Sequence, residues 1–284
     1  MFGRRERLET KAPHELRTMR RAGLVVARAL EAVSTAAQPG VTTLHLDEVA
    51  RETILAAGAR PSFPEVPGYR HTLCVSVNEA VVHGIPGGAV LRAGDLVSVD
   101  CGAIVDGWHG DAAVTLHVGG EAAADPSDVG LSRATRDALW DGIAAFRVGG
   151  YVGDIGTAVE RSLRRSGLAA PGGPTDYGIV TEYEGHGIGR AMHMEPGVPN
   201  VGGTGRGPRV RSGAVVAIEP MVTLGSPHTH ELADEWTVVT DDGMRAAHWE
   251  HSVAVTDSGT CVLTAFDGGA AQLAARNVRH LDLD

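Results

Sequence analysis

The spacing of apolar residues along the chain predicts two pairs of helices. The first pair covers residues 13–38 and 43–57, and the second covers 131–148 and 154–166. In 43–57 and in 154–166 the apolar residues recur at intervals of three and four, which is typical of a helix with one buried face. Gly58 follows the helix over 43–57 and Gly167 follows the helix over 154–166, and each provides a stop signal.

Two shorter apolar runs predict a pair of related strands. Residues 91–100 and 210–219 match position by position, and each passes from a glycine into β-branched residues before it ends on an acid, Asp100 or Glu219. A carboxylate at the inner end of a buried strand is unfavourable unless a proton or a cation compensates it. The repeat therefore predicts one shared site on a pseudo-two-fold axis between two related halves.

The order of features supports such a duplication. Each half has two helices, then a loop rich in glycine and proline that carries a histidine, His83 or His186, and then a strand and an acid. No segment of biased composition separates the halves, which favours one domain over two. The predicted organisation is a tail over 1–12, a single domain over 13–266 with halves of about 13–120 and 121–266, and a C-terminal extension over 267–284.

Composition narrows the classes of function. The net charge of −10, from 35 acidic and 25 basic residues, argues against a nucleic-acid surface, which needs clustered Lys and Arg. No apolar run approaches the length of a transmembrane helix. Three cysteines form an odd and sparse set, so we expect no disulfide framework and a reducing cytoplasm.

A hairpin brings two acids of the first half together. The Asp106-Gly107 dipeptide between two apolar runs predicts a two-residue turn. In the register set by this turn, Asp100 faces Ala113, and Asp111 lies diagonal to Asp100 on the same face. Two carboxylates this close repel each other unless a cation lies between them. The alternative is that they are two unrelated polar residues at a strand end.

The second half adds histidines and two more acids. His186 and His193 lie in a segment whose glycines favour a loop or strand edge over a helix. Glu219 ends the second repeat strand. We expect a further hairpin, with its turn at 242–243, whose return strand carries Glu250.

These residues suggest a centre with two metal ions. Asp100, Asp111, Glu219 and Glu250 sum to −4, and His186 is a neutral ligand. Two divalent cations balance that charge and leave room for one bridging hydroxide. Oxygen and imidazole ligands favour Mn, Fe(II), Co or Zn. Such a pair activates water for hydrolysis of an amide or ester, and phosphoryl transfer is disfavoured because no glycine-rich phosphate loop is present.

The same segments identify a family resemblance. Over about residues 12–265 the chain resembles type I methionine aminopeptidases in their short bacterial form, and the match is carried by 76–86, 100–111, 185–193, 218–221 and 249–251. The resemblance implies an α/β pita-bread fold, in which a pseudo-two-fold antiparallel sheet is covered by two pairs of helices. It implies a cytoplasmic metalloprotease that removes the initiator methionine from nascent proteins and peptides.

The resemblance also assigns roles to the ligands. It implies that Asp111 and Glu250 bridge both metal ions, that Asp100 completes one ion, and that His186 and Glu219 complete the other. Glu219 would in addition accept a proton from the bridging water.

Two histidines and an apolar pocket would contact the substrate. By resemblance, His83 and His193 are not ligands but hydrogen-bond the substrate and the developing oxyanion. An apolar pocket suits the unbranched thioether side chain of methionine. Its implied lining is Phe63, Tyr69, Cys74, Met192 and Trp236.

Two other functions stay open at this point. One is an aminopeptidase or dipeptidase of the same fold that acts at Xaa-Pro bonds, and the other is a non-catalytic pita-bread binding protein. The expected partners are peptides and nascent chains with N-terminal methionine and, transiently, the ribosome. We expect a monomer without membrane contact or sequence-specific nucleic-acid binding. His248 stands where glutamine is frequent in the family, and the sequence leaves open whether it lies beside the site or faces solvent.

Overall fold

Two pairs of long helices and one short helix make up the helical part of the described chain. The computed structural model describes residues 8–169, 177–203 and 205–284, so most of the predicted N-terminal tail lies outside the described residues. The helices are α1 (Pro13–Ala36), α2 (Thr43–Ala56), α3 (Pro126–Ala145), α4 (Gly153–Ala169) and α5 (Ala270–Ala275), with a 3-10 turn over Phe63–Glu65.

The four predicted helices are confirmed, but α3 begins earlier than predicted. Its first residue is Pro126, where the sequence predicts a start at Leu131. The carboxylate of Asp125 accepts a hydrogen bond from the backbone N–H of Ser127 at 2.8 Å and so caps the first turn. Proline suits that turn because its missing N–H has no partner there in any helix. This first turn carries no apolar stripe, so the apolar periodicity does not reveal it.

Strands fill the space between the helix pairs, and every pairing between them is antiparallel in the part of the chain that the structure describes. They are β1 (Arg60–Pro61), β2 (Leu73–Val77), β3 (Ala80–Val82), β4 (Leu96–Val105), β5 (Trp108–His117), β6 (Gly178–Ile179), β7 (Gly185–Gly187), β8 (Met194–Val198), β9 (Ala214–Ile218), β10 (Met221–Thr223), β11 (Thr229–Glu231), β12 (Val238–Thr240), β13 (Ala246–His248), β14 (His251–Thr256) and β15 (Gly259–Val262). The largest sheet has the order β15-β14-β9-β7-β8, and in the first half β4 pairs with β1, β2 and β5.

The first predicted hairpin is confirmed in its register. Strands β4 and β5 pair so that Asp100 lies opposite Ala113 and Gly102 lies opposite Asp111. The turn between them is Asp106-Gly107, and both residues have a positive φ, as a tight hairpin turn requires.

The second predicted hairpin is wrong in its pairing. Strand β13, which follows the turn at 242–243, pairs with β10 and not with β12. Strand β12 pairs with β11 and β3 instead, where Val238 lies opposite Val82. Residues 224–245 thus form an excursion between the two paired strands. Apolar pattern and turn residues predict that a strand reverses, but they do not select its partner among several buried edges.

Each helix pair covers the strands of its own half with a separate core. In the first half, residues of α1 and α2 such as Val26 and Leu46 pack with Val99 of β4. In the second half, residues of α3 and α4 such as Leu139 and Val159 pack with strand residues including Val216, Ile218 and Val253. Each helix pair therefore has its own buried core, formed mainly with strands of its own half of the chain.

The predicted C-terminal extension packs against α1. Arg20, in the middle of that helix, is buried and donates hydrogen bonds to the backbone carbonyls of Leu263 and Phe266. Its guanidinium also binds the side chain of Asp284 at 2.8 and 3.0 Å. Within the described residues, no helix combines the length and apolarity that a membrane span requires.

Backbone contact between two glycines sets how closely α1 lies on the sheet. A Cβ at Gly110 of β5 would come within 2.7 Å of the backbone nitrogen of Gly23 in α1. A real Cβ does not approach backbone this closely, so a side chain here would push the helix away from the strand that carries Asp111.

We expect Gly110→Ala to lower the free energy of unfolding by about 3 kcal/mol, because the added methyl must displace backbone. Gly88→Ala is the matched control, since a Cβ at Gly88 meets nothing within 4 Å. Urea denaturation of the two variants measures the difference. Equal stabilities would show that α1 does not depend on this close approach.

Candidate metal centre

Five strands from both halves deliver the predicted ligands to one place. In the first half, Asp100 lies on β4 and Asp111 on β5. In the second half, His186 lies on β7, Glu219 follows β9 and Glu250 precedes β14. All five line the same cavity. The structure therefore brings together every residue that the sequence suggested as a metal ligand.

The two acids of the second half lie at a break in a long strand pair. Below the break β9 pairs with β14, with Ile218 opposite His251, and above it β10 pairs with β13, with Met221 opposite His248. The same register continued through the break places Glu219 opposite Glu250. The residue after Glu219 is proline, which lacks the N–H that a regular ladder needs, so the interruption follows from the sequence.

The ligand atoms lie close together and are buried. His186 Nε2 is 3.9 Å from Asp111 Oδ2 and 3.5 Å from Glu219 Oε1. Asp111, His186 and Glu250 can place one ligand atom each within 4.8 Å of one another. Asp111 and Glu250 are each 2% exposed, so water does not solvate their charge.

A backbone hydrogen bond orients His186. Its Nδ1 lies 3.0 Å from the carbonyl oxygen of Gly187, which can only accept. The hydrogen of the neutral ring therefore sits on Nδ1, and the Nε2 lone pair faces the acids. Coordinating histidines in metal sites have this kind of support. The small residues Gly185 and Gly187 are needed here because a Cβ on either would meet the backbone of a neighbouring strand.

The chemistry of the donor set fits a divalent cation. One side-chain oxygen each of Asp100, Asp111 and Glu250 is buried without a hydrogen-bond partner among the described residues. Orphaned carboxylate oxygens are strongly unfavourable in a protein interior. A divalent cation would satisfy all of them, and oxygen with imidazole matches ions of intermediate hardness.

The shifted pKa values of these acids also favour a bound cation. Burial raises the pKa of Asp100 to about 7 and that of Glu219 to about 8. Burial and then the neighbouring carboxylates raise the pKa values of Asp111 and Glu250 well above their ordinary range. Burial lowers the pKa of His186 to about 4, so the imidazole is neutral at pH 7. Without a cation, the acids are held partly protonated near neutral pH.

An apolar pocket opens directly beside the acids. Phe63, Tyr69, Cys74 and Met192 form a buried cluster, and Trp236 packs against it. These side chains line the same cavity as the acids. The rings of Tyr69 and Trp236 meet edge to face at 4.9 Å, and the Tyr69 hydroxyl donates to the carbonyl of Leu73, so no polar group of the tyrosine is left unpaired in the pocket.

The two predicted substrate-binding histidines, His83 and His193, line the same cavity as this pocket and the acids. The ring of His193 contacts that of His186 with centroids 4.5 Å apart. Burial lowers the pKa of His83 to about 4 and also lowers that of His193, so both are neutral and can donate one hydrogen bond. His83 has φ of 60°, a strained backbone conformation that is typical of functional sites.

Sequence reasoning missed one wall of the site. A second cavity adjoins the acids, and Tyr183 lines it with His83 and His248. Tyr183 lies in an irregular loop without periodicity, so no pattern marked it. The structure settles the position of His248, which is 2% exposed and has its Nε2 3.6 Å from Glu219 Oε2. It therefore lies beside the site and not in solvent.

Comparisons with known proteins identify a family of metallopeptidases. The model of metallopeptidase family M24 matches residues 17–257. Methionine aminopeptidase 1 of Mycobacterium tuberculosis (strain CDC 1551 / Oshkosh) is 53% identical over 251 residues, which is 88% of this chain and 92% of that protein.

Solved structures add the fold. A crystal structure of methionine aminopeptidase from Thermotoga maritima matches with a TM-score of 0.84 and 38% identity, over 90% of this chain and 99% of that one. Prolidase from Pyrococcus furiosus matches with a TM-score of 0.70 and 18% identity, over 90% of this chain and 65% of that one. The latter shows a shared pita-bread fold alone. With the family match over most of its length, this chain belongs to metallopeptidase family M24 and, within it, to the methionine aminopeptidases.

Proposed function

We propose that this protein removes the N-terminal methionine from peptides and nascent proteins with the help of two divalent cations. The observation that carries the proposal is an apolar pocket that opens directly onto a buried cluster of acids and histidines. The similarity to methionine aminopeptidases supports the same activity.

The ligand set supports two cations. Asp111 and Glu250 would be shared by both, Asp100 would complete one, and His186 with Glu219 would complete the other. Four carboxylates match the charge of two divalent ions, and Mn, Fe(II), Co and Zn all suit the donors. When bound, such cations supply a water nucleophile at neutral pH and polarise the scissile carbonyl.

The protein's own residues bind and orient the substrate. The apolar pocket takes the methionine side chain, whose flexible thioether can fit the gap between aromatic rings and Cys74. His83 and His193 donate hydrogen bonds to the substrate and to the oxygen that gains charge during the reaction. Glu219 lies in the same cavity and can accept a proton from water and later return it.

The two alternatives have weaker support. A proline-directed enzyme shares the fold, but the prolidase is 18% identical to this chain, against 38% for the methionine aminopeptidase structure. A non-catalytic relative would be expected to have lost ligands, whereas all five stand together in one cavity.

The cellular setting stays a prediction. Three free, buried cysteines suit a reducing compartment, which supports a cytoplasmic location. Nascent chains with N-terminal methionine would be the natural substrates, with transient contact to the ribosome and a monomeric enzyme.

The direct test is release of methionine from Met-Ala-Ser by purified protein. We expect release to stop in EDTA and to return on addition of Mn²⁺ or Co²⁺, because the proposed cations supply the water nucleophile and polarise the scissile carbonyl. Ala-Pro-Ser is the comparison peptide for a proline-directed enzyme. Preferential cleavage of that peptide, or release of methionine that EDTA does not affect, would contradict the proposal.

We expect His193→Ala to lower kcat for Met-Ala-Ser by about 10²–10³-fold, because it removes a donor to the developing oxyanion. Affinity for Mn²⁺, measured by titration calorimetry, should change little because this residue is not a ligand. Asp111→Asn is the contrasting variant, and it should lose both metal binding and activity. A His193→Ala protein with wild-type kcat would remove this residue from the mechanism.

Mn²⁺ should raise the melting temperature more at pH 8 than at pH 6. In folded protein the pKa values of Asp100 and Glu219 are raised from 3.8 and 4.5 to about 7 and about 8. Without metal, stability from these groups is therefore complete below about pH 4 and is lost as the pH rises through 7 to 8. Bound cations replace the protons and restore it. His186 stays neutral over this window, since its pKa is about 4. A melting temperature that Mn²⁺ raises equally at both pH values, or does not raise at all, would contradict a metal site formed by these acids.

A further inference from the structure

The two halves of the protein meet along a line where β5 faces β13 and β14. At the midpoint, the backbone N–H of Glu250 donates to the carbonyl of Ala113 at 3.0 Å, and the N–H of Ala113 donates to the carbonyl of Glu250 at 3.3 Å. This is the only place along the described part of this line where the two strands exchange a direct pair of backbone hydrogen bonds. We call it the seam, defined by residues 111–115 and 248–252.

On either side of the direct pair, a hydroxyl stands between the two backbones. The Ser252 hydroxyl accepts a hydrogen bond from the Asp111 N–H at 3.0 Å and donates one to the Asp111 carbonyl at 2.8 Å. The Thr115 hydroxyl accepts from the His248 N–H at 3.0 Å and donates to the His248 carbonyl at 2.7 Å. On this side the His248 N–H is shared, because the Ser98 hydroxyl also accepts from it at 3.1 Å and lies 3.0 Å from the Thr115 hydroxyl. Ser252 is thus the hydroxyl that the second half contributes, and Thr115, supported by Ser98, is its counterpart from the first half.

Each hydroxyl supplies the hydrogen bonds that the backbone of a directly paired strand would otherwise supply. A hydroxyl has one donor and can accept, so it can satisfy both an N–H and a carbonyl of the facing residue. Direct pairing would pull the strands together, whereas an interposed hydroxyl keeps them apart by its own width. Ser252 is fully buried and Thr115 is 4% exposed, so water cannot readily take over the hydrogen bonds.

The seam carries acids from both halves of the metal centre. Asp111 is held by Ser252 through its backbone, and Glu250 forms the direct pair with Ala113. His248, which lies beside Glu219, is held by Thr115. The spacing at the seam therefore fixes how far the first half's acid stands from that of the second half.

We propose that Ser252 and Thr115 are positioning residues, whose hydroxyls set the gap between the halves and so hold Asp111 and Glu250 at the separation that shared cations require. The inference rests on the proposed metal binding. Neither residue lines the cavity that holds the acids, so their effect on the cations must pass through the backbone.

The test uses four variants of the full chain, in pairs that remove or keep the hydroxyl. They are Ser252→Ala with Ser252→Thr, and Thr115→Val with Thr115→Ser. Mn²⁺ affinity is measured by titration calorimetry, and amide hydrogen exchange is followed at Asp111 and His248 in EDTA-treated protein. Leu46→Ala is the control for lost stability, because Leu46 is fully buried in the first-half core and does not line the cavity that holds the acids.

We expect Ser252→Ala and Thr115→Val to weaken Mn²⁺ binding about tenfold or more, as removal of supporting groups does in metal sites. Exchange should speed up at Asp111 in the first variant and, to a smaller extent, at His248 in the second, because the His248 N–H keeps the Ser98 hydroxyl as an acceptor. The hydroxyl-retaining variants should restore both readouts. Leu46→Ala should lower the melting temperature while its Mn²⁺ affinity stays within about twofold of wild type.

Mn²⁺ affinities within about twofold of wild type in both hydroxyl-free variants would overturn the inference. So would a Leu46→Ala protein whose Mn²⁺ affinity falls as much as that of the hydroxyl-free variants. If Ser252→Ala fails to fold, Thr115→Val decides, since it is isosteric with threonine. Wild-type protein that binds no Mn²⁺ would overturn the proposed function together with this inference. If wild-type protein binds Mn²⁺ and the hydroxyl-free variants bind it equally well, only the inference about the seam fails.

Discussion

Repulsion among four buried carboxylates is the constraint on which the rest of this structure depends. Asp100, Asp111, Glu219 and Glu250 come from both halves and meet where water is scarce, so their pKa values are raised and several of their oxygens have no partner. A fold would not retain such an arrangement for stability, because apolar side chains of similar size would pack there at lower cost. The cluster makes physical sense as a site that exchanges protons for cations.

The duplicated fold explains how the acids reach one place. Each half builds its own apolar core from a helix pair and a few strands, and the halves meet along the line where β5 faces β13 and β14, with further contacts elsewhere. Asp100 and Asp111 lie within β4 and β5, whereas Glu219 and Glu250 lie at the break between β9–β14 and β10–β13. The four carboxylates therefore meet without any long loop to guide them. The proposed substrate pocket is lined by residues of both halves, so substrate binding and chemistry would depend on the same spacing between the halves.

Much of this could be predicted from the sequence, because the responsible signals are local. The repeat of 91–100 in 210–219 indicated the duplication, and the Asp106-Gly107 turn fixed the register that places Asp100 near Asp111. The helix pairs followed from apolar periodicity. Recognition of the pocket residues rested on family resemblance, since no periodicity connects Phe63 with Trp236.

What could not be predicted depends on contacts between distant segments. The partner of β13 is chosen among several buried edges, and the turn at 242–243 says nothing about which. The burial of His248 and the wall formed by Tyr183 arise only once both halves are assembled. The most direct test of the account is a crystal structure of the Mn²⁺-loaded protein with anomalous scattering at the manganese edge. The account predicts strong peaks between Asp111, His186 and Glu250, and peaks elsewhere, or carboxylates that point apart, would contradict it.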